Sequence, residues 1–534
     1  MILVLYLAIF YVLLSLSLYL LFPKADLAAV DGLIPGKNFI KWCEIIGRPA
    51  WWSLMLLIPI LNIFIFCGMA VNLVRSFGRY GFGDSALAVI CAPVIFYLIS
   101  KKDSDKYLGP NVTMERDYMY EMKKAEKAGD KKKLERLISK NPYKKSFLRE
   151  WTESIVFAVF AAAFIRMFLI EAFVIPTPSM EGSLLVGDFL FVSKASYGIR
   201  TPMTIAMVPL LHNRVPGLGT ESYFRKPCLK YNRLPAFEEI DRNKPIVFNW
   251  PVGDSVYITS QRSYTVGQAR RSDGAIPDRE LWQKVKKEDY VVRPIDKKDH
   301  YIKRCIALPG DSIQIIDRQV YVNGKKAKNP EKMRFGYYIN PPKSGISKQF
   351  LDKYDIAQNH ADIRADSRGK AIYFLDSLQV AKLKELGDGV AVTPIVNTPQ
   401  GEQLFPHDTK NYPGWTVDNY GPVWIPKKGA TISLTPENIS MYRRVIDVYE
   451  DNDLEIKGSK IIINQQEAGE YTFKQDYYWA MGDNRHNSED SRAWGFVPHD
   501  HIVGKPLFIW FSTKNASLKD GIRFSRMFKS ADID

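Results

Sequence analysis

The sequence predicts a mainly β domain of antiparallel strands carried behind N-terminal transmembrane α-helices. Long apolar runs dominate the chain up to Ile175, whereas short β-branched and aromatic runs separated by Gly, Pro and Asn follow from Pro176 onward. Composition agrees: with 534 residues, 46% hydrophobic and 25% charged, a wholly disordered or collagen-like chain is excluded.

Met1–Phe22 and Trp51–Val74 are each long enough to cross a hydrocarbon core of about 30 Å. The first lacks the basic start and small-residue cleavage site of a removable signal, so it is read as a retained span. Ala86–Ser100 is shorter and holds Pro93, and is either a span or a re-entrant segment. Ser154–Ile175 is the last span, with Arg166 and Glu171 near one end where long side chains reach the interface. Residues 1–100 thus form a membrane region of two to three spans, and 151–175 a further transmembrane helix. The linker between them, residues 101–150, carries 15 Lys and Arg against 9 Asp and Glu. Positive charge beside spans favours the cytoplasmic side, which puts everything after Ile175 outside the cytoplasm. A net charge of +15 alone would admit nucleic acid, but that compartment and the lack of a nucleic-acid motif argue against it.

The exported part reads as strands at Phe189–Ser193, Ile246–Trp250, Tyr301–Leu308, Ile313–Ile316, Val320–Val322, Lys460–Asn464 and Leu507–Phe511, with an Asn323-Gly324 turn. Residues 176–324 and 470–534 are the two parts of this β domain. The polar, irregular stretch 325–469 is an inserted subdomain with a helix at Leu375–Gly387. Five scattered cysteines without a CxxC pair indicate neither a disulfide framework nor a zinc knuckle.

Three blocks carry chemistry. Directly after the last span comes Ile175-Pro176-Thr177-Pro178-Ser179-Met180, in which two prolines stiffen the backbone around a serine held near the bilayer surface. The second is Tyr301-Ile302-Lys303-Arg304-Cys305, where strand alternation sets Lys303 on one face with an aromatic ring and a thiol. An unperturbed lysine is neutral in only about 1 molecule in 2,500 at pH 7, and apolar burial removes most of that obstacle to its use as a base. The third is Met481-Gly482-Asp483-Asn484-Arg485-His486-Asn487-Ser488-Glu489-Asp490-Ser491-Arg492, whose acids and arginines can pair to fix a loop.

In this order after a membrane helix, the blocks resemble the bacterial type I signal peptidases, also called leader peptidases. The likeness covers about Trp151–Val192, Tyr301–Asp311, Trp479–Pro498 and the tail Gly521–Arg526. It implies a signal-peptidase-like antiparallel β fold and a membrane-bound serine endopeptidase with a Ser-Lys dyad, in which Ser179 is the nucleophile and Lys303 the general base. It further implies an oxyanion hole from Thr177 and the Ser179 N–H, and Ser488 and Tyr301 orienting the lysine. Ile175, Ile302 and Leu184 would line shallow pockets for small side chains, and Asp483, Asp490 and Arg492 would give structural support. The implied partners are the signal peptides of secretory preproteins, cut at A-x-A type sites, and membrane lipid. No metal or cofactor is called for, and the location is the bacterial cytoplasmic membrane, multi-pass, with the catalytic domain on the extracytoplasmic side. Two departures stand out: Glu181-Gly182-Ser183-Leu184 replaces the usual x-Pro-Thr-Leu, and His486 stands where the family is usually acidic. A Ser-x-x-Lys site is excluded because Gly182 stands three residues after Ser179. The rival reading is a silent paralogue acting as a scaffold or substrate-binding protein, against which Ser179, Lys303 and Ser488 all speak.

Overall fold

In the first 158 residues, apolar spacing produces helices that close around Trp42. Ile2–Leu21, Lys37–Ile46, Leu61–Ser76 and Phe82–Lys101 bury Leu14, Leu18, Trp42, Leu73 and Phe96 together. Trp42 packs edge-on to Phe96 at 5.1 Å and satisfies its indole N–H on the Met69 carbonyl at 3.2 Å. The basic linker forms two helices, Asn111–Lys127 and Lys131–Ser139, the second capped by Asp130 on the Lys133 N–H. The computed structural model describes residues 2–58, 61–204, 206–216, 218, 220–259, 263–266, 279–340, 345–357, 363–366, 368–386, 390–397 and 404–532. It divides into two units, Met1–Ala158 and Val159–Asp534.

Among the described residues, three helices are long and apolar enough to cross a membrane: Ala8–Ala25, Phe82–Lys101 and Phe147–Phe168. Ala86–Ser100, left open by the sequence, therefore lies within one long helix, with Cys91 leaving helical geometry two residues before Pro93. The Trp51–Val74 run is instead divided into a 3-10 helix, Ala50–Leu57, and an α-helix of 16 residues, Leu61–Ser76. Pro59 falls between them in the sequence, and a proline with its predecessor disfavours a continuous helix.

The second unit is built on a seven-stranded antiparallel sheet. Its strands are β1 (Ile170–Val174), β2 (Asp188–Ser193), β3 (Pro245–Asn249), β4 (His300–Ala307), β5 (Tyr477–Met481), β6 (Val497–Pro498) and β7 (Ile502–Ser512). The order across the sheet is β1-β2-β7-β3-β4-β5-β6. The predicted last span, Ser154–Ile175, is corrected here: the helix stops at Phe168, and β1 takes the remainder, pairing Ile170 with Ser193 and Val174 with Phe189. Hydropathy alone does not separate an apolar strand from an apolar helix end. The alternation in Ile-Glu-Ala-Phe-Val and a partner strand decide for β.

The stretch 325–469 contributes to two cores. Among its described residues, a four-stranded sheet of Ile363–Ala365, Ala371–Leu375, Phe335–Asn340 and Ala391–Pro394, with the helix Ser377–Lys384, has its own core, around Ile339, Tyr373, Leu375 and Leu383. Leu404, Tyr420, Val423, Val445 and Phe473 instead share one core with Ile313, Val320 and Trp479. That stretch reads as irregular because its strands are short and its partners distant in sequence.

Candidate active site

Ser179 lies in a single 3-10 turn, Pro178–Met180, with Pro178 at the first helical position where its missing N–H costs nothing. Asn484 anchors this turn by two consecutive carbonyls: its backbone N–H donates to Ser179 O at 3.1 Å and its Nδ2 to Pro178 O at 3.2 Å. Two glycines allow the close fit. A Cβ on Gly482 would stand 2.4 Å from Ser179 O, and one on Gly182, at φ +105°, would stand 2.1 Å from Lys332 O. In this chain, then, the turn after Ser-Met is held by backbone packing where a proline was expected. The tail completes it: Arg526 forks onto Asp188, at 2.6 and 3.0 Å, and donates to Ser183 O.

Lys303 comes from the middle of β4, opposite Ile246 of β3, and is only 3% exposed. Its Nζ lies 2.8 Å from Ser179 Oγ and donates to Ile302 O at 2.9 Å. Burial pushes its pKa down from 10.5 to about 8, against the opposing pull of Asp490, Glu489 and Asp483. At pH 7 that leaves about one molecule in ten neutral, a gain of about 3 kcal/mol over an unperturbed lysine. Tyr301, on the same face as predicted, stacks on Trp250 at 5.1 Å with its ring 5.2 Å from Nζ.

Ser179 and Lys303 form part of a cavity of about 780 Å³ whose walls include Thr177, Tyr301, Ile302 and Ile175. Phe173, Leu190 and Val247 complete its apolar side, and Arg364 of the small sheet also reaches it. Leu184 is a correction: it is fully buried in the core with Met180 and Val192 and does not line the cavity, because the Gly182 turn directs it inward. Ser488 is another: no hydrogen bond joins it to Lys303, and its hydroxyl packs against Gly482. The three support residues are buried as ion pairs. Asp483 accepts a forked pair from Arg304 at 2.7 and 2.8 Å, and Asp490 does so from Arg492 at 2.8 and 2.9 Å while taking the Gly482 N–H. His486 lies 2.7 Å from Asp418 and accepts the Gly336 N–H, so the loop is tied to the small sheet where an acid was expected. Sequence reasoning gave no role to Arg304, Asn484 or Gly482; the Gly-Asp-Asn run beside a lone buried-strand arginine was the available signal.

A family described as signal peptidase, peptidase S26, matches residues 148–365 and 429–511, more than half of the chain. A second, of unknown function, matches residues 30–110. Among curated relatives, signal peptidase I of Buchnera aphidicola subsp. Schizaphis graminum is 26% identical over 428 residues, 78% of this chain and 91% of that protein. Signal peptidase I of Helicobacter pylori strain J99 is 23% identical, covering 72% and 93%, and that of Rickettsia massiliae 24%, covering 70% and 84%. The family match spans Ser179, Lys303 and Asp490 together with six of the seven strands complete and all but the last residue of β7, so the curled sheet and its serine turn are those of a known lineage. The chain belongs to the signal peptidase family of serine peptidases.

Proposed function

We propose that this peptidase removes N-terminal signal peptides from exported preproteins with a Ser179–Lys303 dyad. The observation that carries the reading is a buried lysine amine 2.8 Å from a serine hydroxyl on the wall of an open cavity. Neutral Lys303 takes the Ser179 proton as Oγ bonds to the scissile carbonyl carbon, giving a tetrahedral oxyanion. The Ser179 N–H and the exposed, cavity-facing Thr177 hydroxyl donate to that oxygen. The C–N bond breaks as the Lys303 ammonium protonates the leaving amine. Water then loses a proton to Lys303 as it bonds to the acyl carbon, the C–Oγ bond breaks with that proton passing to Ser179, and the acyl group leaves as a carboxylic acid that ionises.

Packed walls support a preference for small side chains beside the scissile bond: Ile175 and Val247 are both nearly fully buried, and Ile302 stands next to the amine. The apolar helix Phe147–Phe168, 0% buried, ends two residues before β1, which favours a serine held close to a bilayer in which the signal peptide's apolar stretch still resides. Our reading is a multi-pass protein of the bacterial cytoplasmic membrane, with the basic linker inside and the β domain outside.

Ser179→Ala and Lys303→Ala are each expected to abolish preprotein cleavage in liposomes while the fold persists; cleavage at the wild-type rate by either variant refutes the dyad. Thr177→Val is expected to lower turnover roughly ten- to a thousandfold through loss of one oxyanion donor, read in kcat on the same substrate.

A further inference from the structure

Beyond the serine cavity, a second and smaller one of about 80 Å³ lies at the end of the helix Phe147–Phe168, where Arg166 and Met167 of its last turn meet Lys194, Arg200, Lys297 and His300. Its charges do not balance. Glu171 is shared by Arg166 at 2.7 Å and Lys194 at 2.6 Å. Asp296 is occupied by neutral donors, the N–H groups of Met203 and Thr204 and the Thr204 hydroxyl. Arg200 donates to a backbone carbonyl, that of Asp500, at 3.1 Å. Lys297, 4% exposed, has its ammonium directed at the thioether of Met207, 2.9 Å away, a weak acceptor. Four cations thus face two carboxylates. The two histidines add no further positive charge: burial drives His212 down to about 4 and holds His300 well below its ordinary value.

Beside that sulfur the Lys297 ammonium meets only the face of the Tyr223 ring, 5.4 Å away, and among the described residues it forms no ion pair, so an anion would complete its surroundings. The space admits one tetrahedral oxoanion and no bulky organic molecule. Arginine forks and lysine point charges are the side chains that hold such a group. The loop beside the cavity supplies an apolar lip, with Val208 and Leu210 exposed next to the lining residues Met207 and Leu211. That combination, cations below an apolar rim at the end of a membrane-crossing helix, matches the level at which lipid phosphates lie.

We propose that this cavity is a phosphate-binding site, filled by a lipid headgroup phosphate or by free phosphate, with Lys297 and Arg200 as its unpaired cations. His300 lies on its wall and also on that of the serine cavity, and begins the strand that carries Lys303, so an occupant holds the start of β4 in place.

The test uses the full chain in micelles of a phosphate-free detergent. Inorganic phosphate, against chloride at equal ionic strength, is expected to raise the melting temperature by roughly 2–5 °C at saturation. Lys297→Met is expected to melt higher than wild type without phosphate and to lose the response, while Lys297→Arg keeps it. A parallel arm compares vesicles of galactolipid with and without phosphatidylglycerol. A response confined to phosphatidylglycerol assigns the site to lipid, and one to inorganic phosphate alone assigns it to the solute. Equal responses in wild type and Lys297→Met, or no response of wild type to either probe, overturn the proposal.

Discussion

Burial holds the Lys303 amine at about 8 against an ordinary 10.5, so between those pH values the folded chain has released a proton that the unfolded chain keeps. Stability from this group therefore rises with pH across that window, and below about 8 the penalty of the buried charge is present in full. Lys303→Met is expected to unfold at higher denaturant than wild type at pH 7, by about 1–3 kcal/mol, and to be inactive; a less stable variant would show that the amine carries no penalty. Cleavage by the wild type is expected to rise through pH 8, as the neutral amine accumulates. Gly482→Ala, whose methyl would press on Ser179 O and the Ser488 hydroxyl, is expected to lose at least tenfold in kcat while KM changes less. That Ser179 and Lys303 would stand side by side was legible because each sits in a contiguous run of telling residues. Leu184 and Ser488 were not, since which way a turn or loop directs a side chain depends on contacts such as Gly182 on Lys332 and Gly482 on Ser179.

At the level of elements, the loop between β5 and β6 is fixed by two fully buried arginine forks, Arg304 on Asp483 and Arg492 on Asp490. Asp483→Asn leaves Arg304 charged and dry, and is expected to cost about 3–5 kcal/mol in urea unfolding. The double variant Asp483→Asn with Arg304→Met is expected to cost less than Asp483→Asn alone, because the orphaned cation goes with its partner. Strands were read well where β-branched runs ended in turns, as at β2 and β4. The helix end at Phe168 and the division of the Trp51–Val74 run into Ala50–Leu57 and Leu61–Ser76 were missed because hydropathy measures how apolar a run is, not where its backbone finds hydrogen-bond partners.

In the whole molecule, the small sheet around Leu375 has its own core, whereas residues 404–473 complete the main one. Leu375→Ala is expected to destabilise locally by about 2–5 kcal/mol, speeding hydrogen exchange in Phe335–Asn340 and Ala371–Leu375 while β5 stays protected; uniform loss of protection would show a single cooperative unit. This division was hidden in the sequence because both parts look equally polar and irregular. The anchoring of the serine turn by Asn484, 306 residues downstream of Pro178, has a consequence for biosynthesis. A ribosome delivers Ser179 and Lys303 long before the loop that clamps the one and the arginine, Arg526, that latches the turn through Asp188, 338 residues away. The serine turn of the nascent chain therefore lacks both its clamp and its latch until translation is nearly finished.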